Sequence, residues 1–430
     1  MLNDFFKLEE HGTTVRREVI AGVTTFLTMA YIIFVNPAIL SDAGMDFGGV
    51  FVATCIAAAV GTLIMGLYAN YPIAMAPGMG LNAFFTYGVV LGMGHTWQVA
   101  LGTVFVSGIL FVIISVLPIR EWIINSIPKS LKMATAAGIG LFLGIIAMKN
   151  AGLVVDNPAT LVGLGDITQW AVILAVLGFI LIAALDALKI PGAIIIGILA
   201  VTVAGVILGV SDFKGIADVP PDPGTVMFQM DLGGALDLAL VGIIFAFLFT
   251  DLFDTSGTLI GVAHRAGLLD KDGKLPRLKR ALVADSTATV IGAAAGTSPV
   301  TCYIESASGV RAGGRTGLTA VVVAVLFILA LFLSPLATTI PGYATAPALL
   351  FVACLMAQGI TEVDWEDLTE YVPAVVLAMT MPFTFSITDG LAFGFITYAA
   401  IKLLSGRFGE AKPAVLVLAA LFIAKYAWLG

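Results

Sequence analysis

Apolar residues run through this chain in long stretches from residue 19 to residue 429, broken by short polar connections. A helix needs about twenty consecutive apolar residues to span a bilayer. The pattern predicts helices near residues 17–40, 48–69, 80–92, 97–118, 131–150, 169–187 and 190–210. A second set falls near 235–263, 281–295, 305–317, 318–338, 345–360, 371–388 and 390–404, and the run at 413–429 is a further apolar helix. The first run follows a charged stretch without a cleavage-site pattern, so it reads as a retained helix rather than a signal peptide. The best count is fourteen spans, and the fold class is an all-α membrane protein.

The two sets match. AGVTTFLTMAYIIFVNPAIL (21–40) lies over VGIIFAFLFTDLFDTSGTLI (241–260), and ATAAGIGLFLGIIAM (134–148) lies over ATAPALLFVACLMAQ (344–358). A repeat of seven helices has odd parity, so its second copy is inverted in the membrane, an arrangement that places a transport site at the repeat interface. The third segment of each half carries Pro and Gly amid apolar sequence: ANYPIAMAPGMGLNAFF (69–85) and AAGTSPVTCYIESASGV (294–310). Each is expected to hold a short strand, PIAM after Asn70–Tyr71 and PVTCY from Pro299, followed by a half-helix. Unpaired strand backbone is intolerable in lipid, so the two strands are expected to pair with one another.

Polar residues inside these runs change the picture more than the totals do. Asp251, Asp254 and Glu305 lie in apolar segments, as does Asp285 in LVADSTATV. A carboxylate at bilayer depth costs several kcal/mol, roughly 2.5–3.5 on the lenient scales, and must face protein or a water-filled cavity. Such groups handle a substrate, an ion or a proton. Of 430 residues 59% are hydrophobic and 11% charged, which leaves room for little mass outside the membrane. The net charge of −7 matters less than its placement. Arg16, Arg17, Arg120, Lys129, Lys132, the loop at 264–280 with Arg265, Lys271, Lys274, Arg277, Lys279 and Arg280, and then Lys402, Arg407 and Lys412 alternate with acidic loops at 41–48 and 211–233. The positive-inside rule puts both termini and the 264–280 loop in the cytoplasm, with an even number of crossings of the plasma (inner) membrane. Cys55, Cys302 and Cys354 and the three histidines have no metal-ligand spacing, and no phosphate-binding glycine loop with Lys–Ser/Thr is present. TEVDWEDLTE (361–370) reads as a loop with its acids on a solvated face.

APGMGLNAFFTYG (76–88), FTDLFDTSGTLIGVA (249–263) and GTSPVTCYIESASGVRAGGRTGL (296–318) closely resemble the adenine/guanine/hypoxanthine permeases, a branch of the nucleobase–cation symporters, and the similarity covers essentially the whole chain. The resemblance implies a 7+7 inverted repeat divided into core and gate domains. Their halves are 1–125 (core), 126–212 (gate), 213–340 (core) and 341–430 (gate). It also implies proton-coupled import of purine bases with an elevator-like movement. Residue by residue, it places the eighth-helix acid on Asp254, three positions before Gly257, and the tenth-segment glutamate on Glu305 after Tyr303 and Ile304 and before Ser306. The third-segment polar residue falls on Asn82, next to Ala83 and Phe84, and Thr258 stands where some uracil-type relatives carry histidine. The partners implied are a purine base, a proton and membrane lipid, with homodimerisation common among relatives; no cofactor and no nucleic acid is expected.

The chemistry suits those residues. A purine buried away from water needs a partner for each polar group, since an unpaired one costs about 1–3 kcal/mol. Glu305 accepts two N–H donors side by side, Asn82 offers a donor and an acceptor, and Phe84 offers a stacking face. Asp254 and Glu305 are the candidate proton-coupling acids, with Asp254 as the carrier; its alternative is a structural acid bound to Thr258 or Ser256. Asp251 is partner or spectator to Asp254, while Asp285, Tyr31 and Thr28 are expected to support the cavity. The rival readings are a transporter of the same fold for xanthine, uracil or an inorganic anion, and a membrane-embedded enzyme or channel. Carboxylates argue against an anion.

Overall fold

The structure is a computed structural model that describes residues 2–117, 127–268 and 275–428; Arg120, Lys271 and Lys274 lie outside them. The first half runs α1 (Val15–Met29), α2 (Ile32–Asp42), α3 (Phe47–Ile64), β1 (Met75–Pro77), α4 (Met79–Ala83), α5 (Trp97–Val116), α6 (Lys129–Asn150), β2 (Val154–Asn157), β3 (Leu161–Leu164), α7 (Trp170–Ala187) and α8 (Ala193–Ile207). The second runs α9 (Val241–Ala266), α10 (Leu278–Ala295), β4 (Val300–Cys302), α11 (Ser306–Arg311), α12 (Gly317–Ala330), α13 (Gly342–Ala357), α14 (Leu368–Thr384), α15 (Ile387–Leu404) and α16 (Pro413–Trp428). Among the described residues, nine helical stretches are long and apolar enough to cross a membrane unaided. The other spans are short or broken, as expected for the third and tenth segments. The halves form a 7+7 inverted repeat.

The two predicted strands pair at the centre, antiparallel, with Met75 opposite Cys302, Ala76 opposite Thr301 and Pro77 opposite Val300. Gly78 N donates to Pro299 O at 2.9 Å and Tyr303 N to Ala74 O at 3.0 Å, so the polar backbone is satisfied inside the protein. The first strand starts three residues later than its PIAM motif suggested. Ala74 N is taken by Ser306 Oγ (3.0 Å), and Met75 N by Thr62 Oγ1 (2.9 Å), so this stretch leans on side chains before it reaches the ladder. After α4 the third segment continues as a wide π-type turn over Phe84–Gly92. The tenth segment is shorter than expected, because Gly313 at φ +109° ends the helix that begins at Ser306.

Helices α1–α5 pack with α9–α12, and α6–α8 with α13–α16, as in a core and a gate. Close backbone approach holds the first group together: a Cβ at Gly317 would lie 1.9 Å from Gly66 O, so only glycine fits there. Glu18 on α1, fully buried, clamps the start of α12. Its carboxylate accepts from Arg315 N (2.9 Å), Thr316 N (3.2 Å), Thr319 N (3.2 Å) and Thr319 Oγ1 (2.6 Å). In the second group, Glu370 is no solvated loop acid. It accepts from Ser130 on α6 and from Tyr398 (2.9 Å), and pairs with the buried Lys402 at 2.8 Å.

Three features depart from the sequence pattern. The hairpin β2–β3 sits in the 150–169 connection, its strands too short to show a period. Helix α1 breaks at Ala30–Tyr31, two turns before Pro37. Helix α16 packs on α15 and ends with Lys425 beside Gly242, at the start of α9. That is the opposite end of α9 from the basic loop.

Candidate functional site

The break in α1–α2 puts Tyr31 beside the start of α11. Tyr31 is buried, and its hydroxyl donates to Glu305 Oε1 at 2.5 Å. Glu305 precedes α11 in the N-cap position yet makes no side-chain capping bond, so its carboxylate is left for Tyr31 and for whatever enters. Thr28 Oγ1 spends itself on its own helix, on Thr25 O at 2.8 Å, and reaches Glu305 O only at 3.5 Å. Tyr303 turns the other way and donates to Pro77 O at 2.5 Å, locking the two broken segments together. Ser306, buried, receives Ala74 N; Ile304 is 46% exposed.

Asp254 faces this point from α9. It is solvent-exposed, and its Oδ2 accepts from Thr301 Oγ1 of β4 at 3.3 Å. One turn on, a Cβ at Gly257 would meet nothing within 4 Å, and at Gly261 only Ile304 Cδ1 at 3.9 Å. The face of α9 that carries Asp254, Gly257 and Gly261 is therefore uncrowded, with Ile304, exposed, and Glu305, half-buried, next to it in the chain that approaches Gly261. Asp254 is not tied to Thr258 or Ser256: both are buried, and Ser256 Oγ has no partner among the described residues.

The other two acids lie behind the strand. Asp251 is 1% exposed and accepts from Thr289 Oγ1 (3.0 Å), a hydroxyl also 2.8 Å from Val300 O. Asp285, fully buried, accepts from Cys302 Sγ at 3.6 Å. Thr301 and Cys302 point to opposite faces because successive strand side chains alternate, so β4 hands Asp254 and Asp285 different environments. Thr255 and Thr301 share a hydrogen bond of 2.9 Å between the front and the back. Of the acids, Asp254 is exposed and Glu305 half-buried, while Asp251 and Asp285 are buried.

The third-segment residues are buried more fully than Asp254 and Glu305. Asn82 is wholly buried, and its Nδ2 donates to Asn36 Oδ1 at 3.1 Å. Asn36 in turn donates to Thr54 Oγ1 (2.7 Å) and Thr297 Oγ1 (2.8 Å) and accepts from Ser298 (3.3 Å). Asn82 Oδ1 has no partner among the described residues. Ala83 and Phe84 are buried too; the Phe84 ring lies 4.9 Å from that of Phe247 and against Gly88. Asn36, Thr289 and Thr301 were missed in the sequence. The one available signal was a lone asparagine ahead of Pro37 within an apolar run.

A helical bundle folded as an inverted repeat, with buried and half-buried carboxylates where its two broken segments pair, has the make-up of a membrane permease. The chain belongs to the Permease family, whose model matches residues 16–393. It is 52% identical to an adenine permease of Escherichia coli K12 over 100% of this chain and 96% of that protein. It is 45% identical to a guanine/hypoxanthine permease of Bacillus subtilis 168 over 97% of this chain and 98% of that one. Among solved structures, the transmembrane domain of a cyanobacterial bicarbonate transporter superposes with a TM-score of 0.61, covering 88% of this chain and 97% of that domain at 16% identity. At that identity the likeness is one of fold.

Proposed function

We propose that the protein imports purine nucleobases by proton symport, with the α1–α5/α9–α12 group moving as an elevator against the rest. The observation that carries the reading is the placement of Glu305, held by Tyr31, and of the exposed Asp254, bonded to Thr301, at the same broken segment. Full-length similarity to adenine and guanine/hypoxanthine permeases supplies the substrate class. Glu305 offers two acceptor oxygens to a purine N–H edge, and charge-assisted hydrogen bonds of that kind are the stronger ones. Asp254, open to solvent on the basic-loop side, receives and releases the proton. Asn82 and Phe84 form the inner wall, with Asn82 Oδ1 as the acceptor left over for the ligand. Thr28, Thr258, Asp251 and Asp285 support these groups from behind.

The end of the bundle away from the basic loop supports alternating access. There Tyr87 donates to Asp42 at 2.6 Å, and Asn150, at the end of α6, donates to Tyr87 at 3.2 Å. This chain of bonds joins one helix group to the other at the end away from the basic loop, as an inward-facing state requires. Counterflow of labelled adenine, guanine and hypoxanthine in cells lacking purine permeases tests the substrate class. Exchange of uracil or an anion, with none of the purines exchanged, would overturn it.

A further inference from the structure

The first half of α9 leaves an apolar groove that the proposed transport cycle does not use. Leu238, Val241, Phe245 and Phe249 form one wall, and Leu421 and Phe422 of α16 the other, around a volume of about 390 Å³. The rings of Phe245 and Phe249 stack 5.9 Å apart, with Phe245 37% and Leu421 56% exposed. At the mouth stands Lys425. Its ammonium lies 5.3 Å from the Tyr426 ring and, among the described residues, has no carboxylate partner, unlike Lys402 and Lys129. The nearby Asp237 is occupied in capping Ala239 N at 3.0 Å. An occupant must therefore be apolar along its length and anionic at one end.

We propose that this groove binds an anionic phospholipid, with the phosphate on Lys425 and an acyl chain along Phe245, Phe249 and Leu421. The walls belong to different helix groups, α9 to one and α16 to the other, so the lipid sits as a wedge between them; this last step alone rests on the alternating-access reading. Charge complementarity chooses the headgroup, since one lysine near an anionic membrane surface contributes about 1 kcal/mol.

The test uses the full chain purified in detergent, with phosphatidylglycerol or phosphatidylcholine of identical chains added and bound lipid counted by native mass spectrometry. The wild type should retain phosphatidylglycerol preferentially. K425A should lose about fivefold of that preference, the factor matching about 1 kcal/mol, while K425R keeps it. Leu421→Trp, which fills the groove, should reduce retention of both lipids. Equal retention of the two lipids by the wild type, or an unchanged preference in K425A, would overturn the proposal. So would equal thermal stabilisation by inorganic phosphate alone, or a shift of K425A in dimer fraction without a change in bound lipid, which would make a second copy the occupant. Purine binding is not read in these measurements, so a failure here leaves the transport reading to its own test.

Discussion

At Glu305 the chemistry narrows to one carboxylate. It accepts from Tyr31 and is half-buried, so replacing it with glutamine keeps the shape and removes the charge. Glu305→Gln should weaken purine binding by about 1.5–3 kcal/mol, the worth of a hydrogen bond to a charged group, while the protein stays folded. Equilibrium binding in detergent reads this directly, and parental affinity for adenine and guanine would remove Glu305 from the ligand. Asp254→Asn should behave differently: an amide accepts a hydrogen bond from Thr301 but cannot release a proton. Counterflow exchange should persist while uphill accumulation disappears, and normal accumulation would move coupling to another acid. These acids were legible in the sequence because a charge in an apolar run has no cheap explanation. The network that positions them was not. Thr289, Thr301 and Asn36 are residue types that membrane helices tolerate anywhere, and only the fold shows that Thr301 faces Asp254 while Cys302 faces Asp285.

Among the elements, proline and glycine marked the broken segments because they interrupt helices that lipid would otherwise enforce. The register of the strands was set by bonds no pattern reveals, such as Thr62 to Met75. Glu18 is a second such case. It follows Arg16 and Arg17 in the chain, and it caps α12 from α1. Removing it leaves three backbone N–H groups and a hydroxyl without their acceptor. Glu18→Ala should cost about 1–3 kcal/mol, seen as a lower melting temperature in detergent with unchanged affinity in the molecules that remain folded. A melting temperature equal to the parent's would show that water replaces the clamp.

For the molecule as a whole, the inverted repeat was legible from parity and from matched broken segments, whereas the course of α16 was not, since it depends on which helices pack rather than on hydropathy. The bonds among Asp42, Tyr87 and Asn150 close one end of the interface between the two helix groups. Tyr87→Phe should weaken that closure and raise labelling, from the side opposite the basic loop, of a single cysteine introduced at Thr345, which lines the small cavity beside Asp42 and Asn150. Labelling unchanged from the parent would mean these bonds do not hold the end shut. The central claim, purine import driven by protons, is tested most directly in liposomes containing the purified protein, an imposed proton gradient and labelled adenine, guanine or hypoxanthine. The account predicts accumulation of at least one base above its external concentration, with alkalinisation outside and loss of both when the gradient is dissipated. Uptake that only equilibrates, whether or not a gradient is imposed, would contradict it.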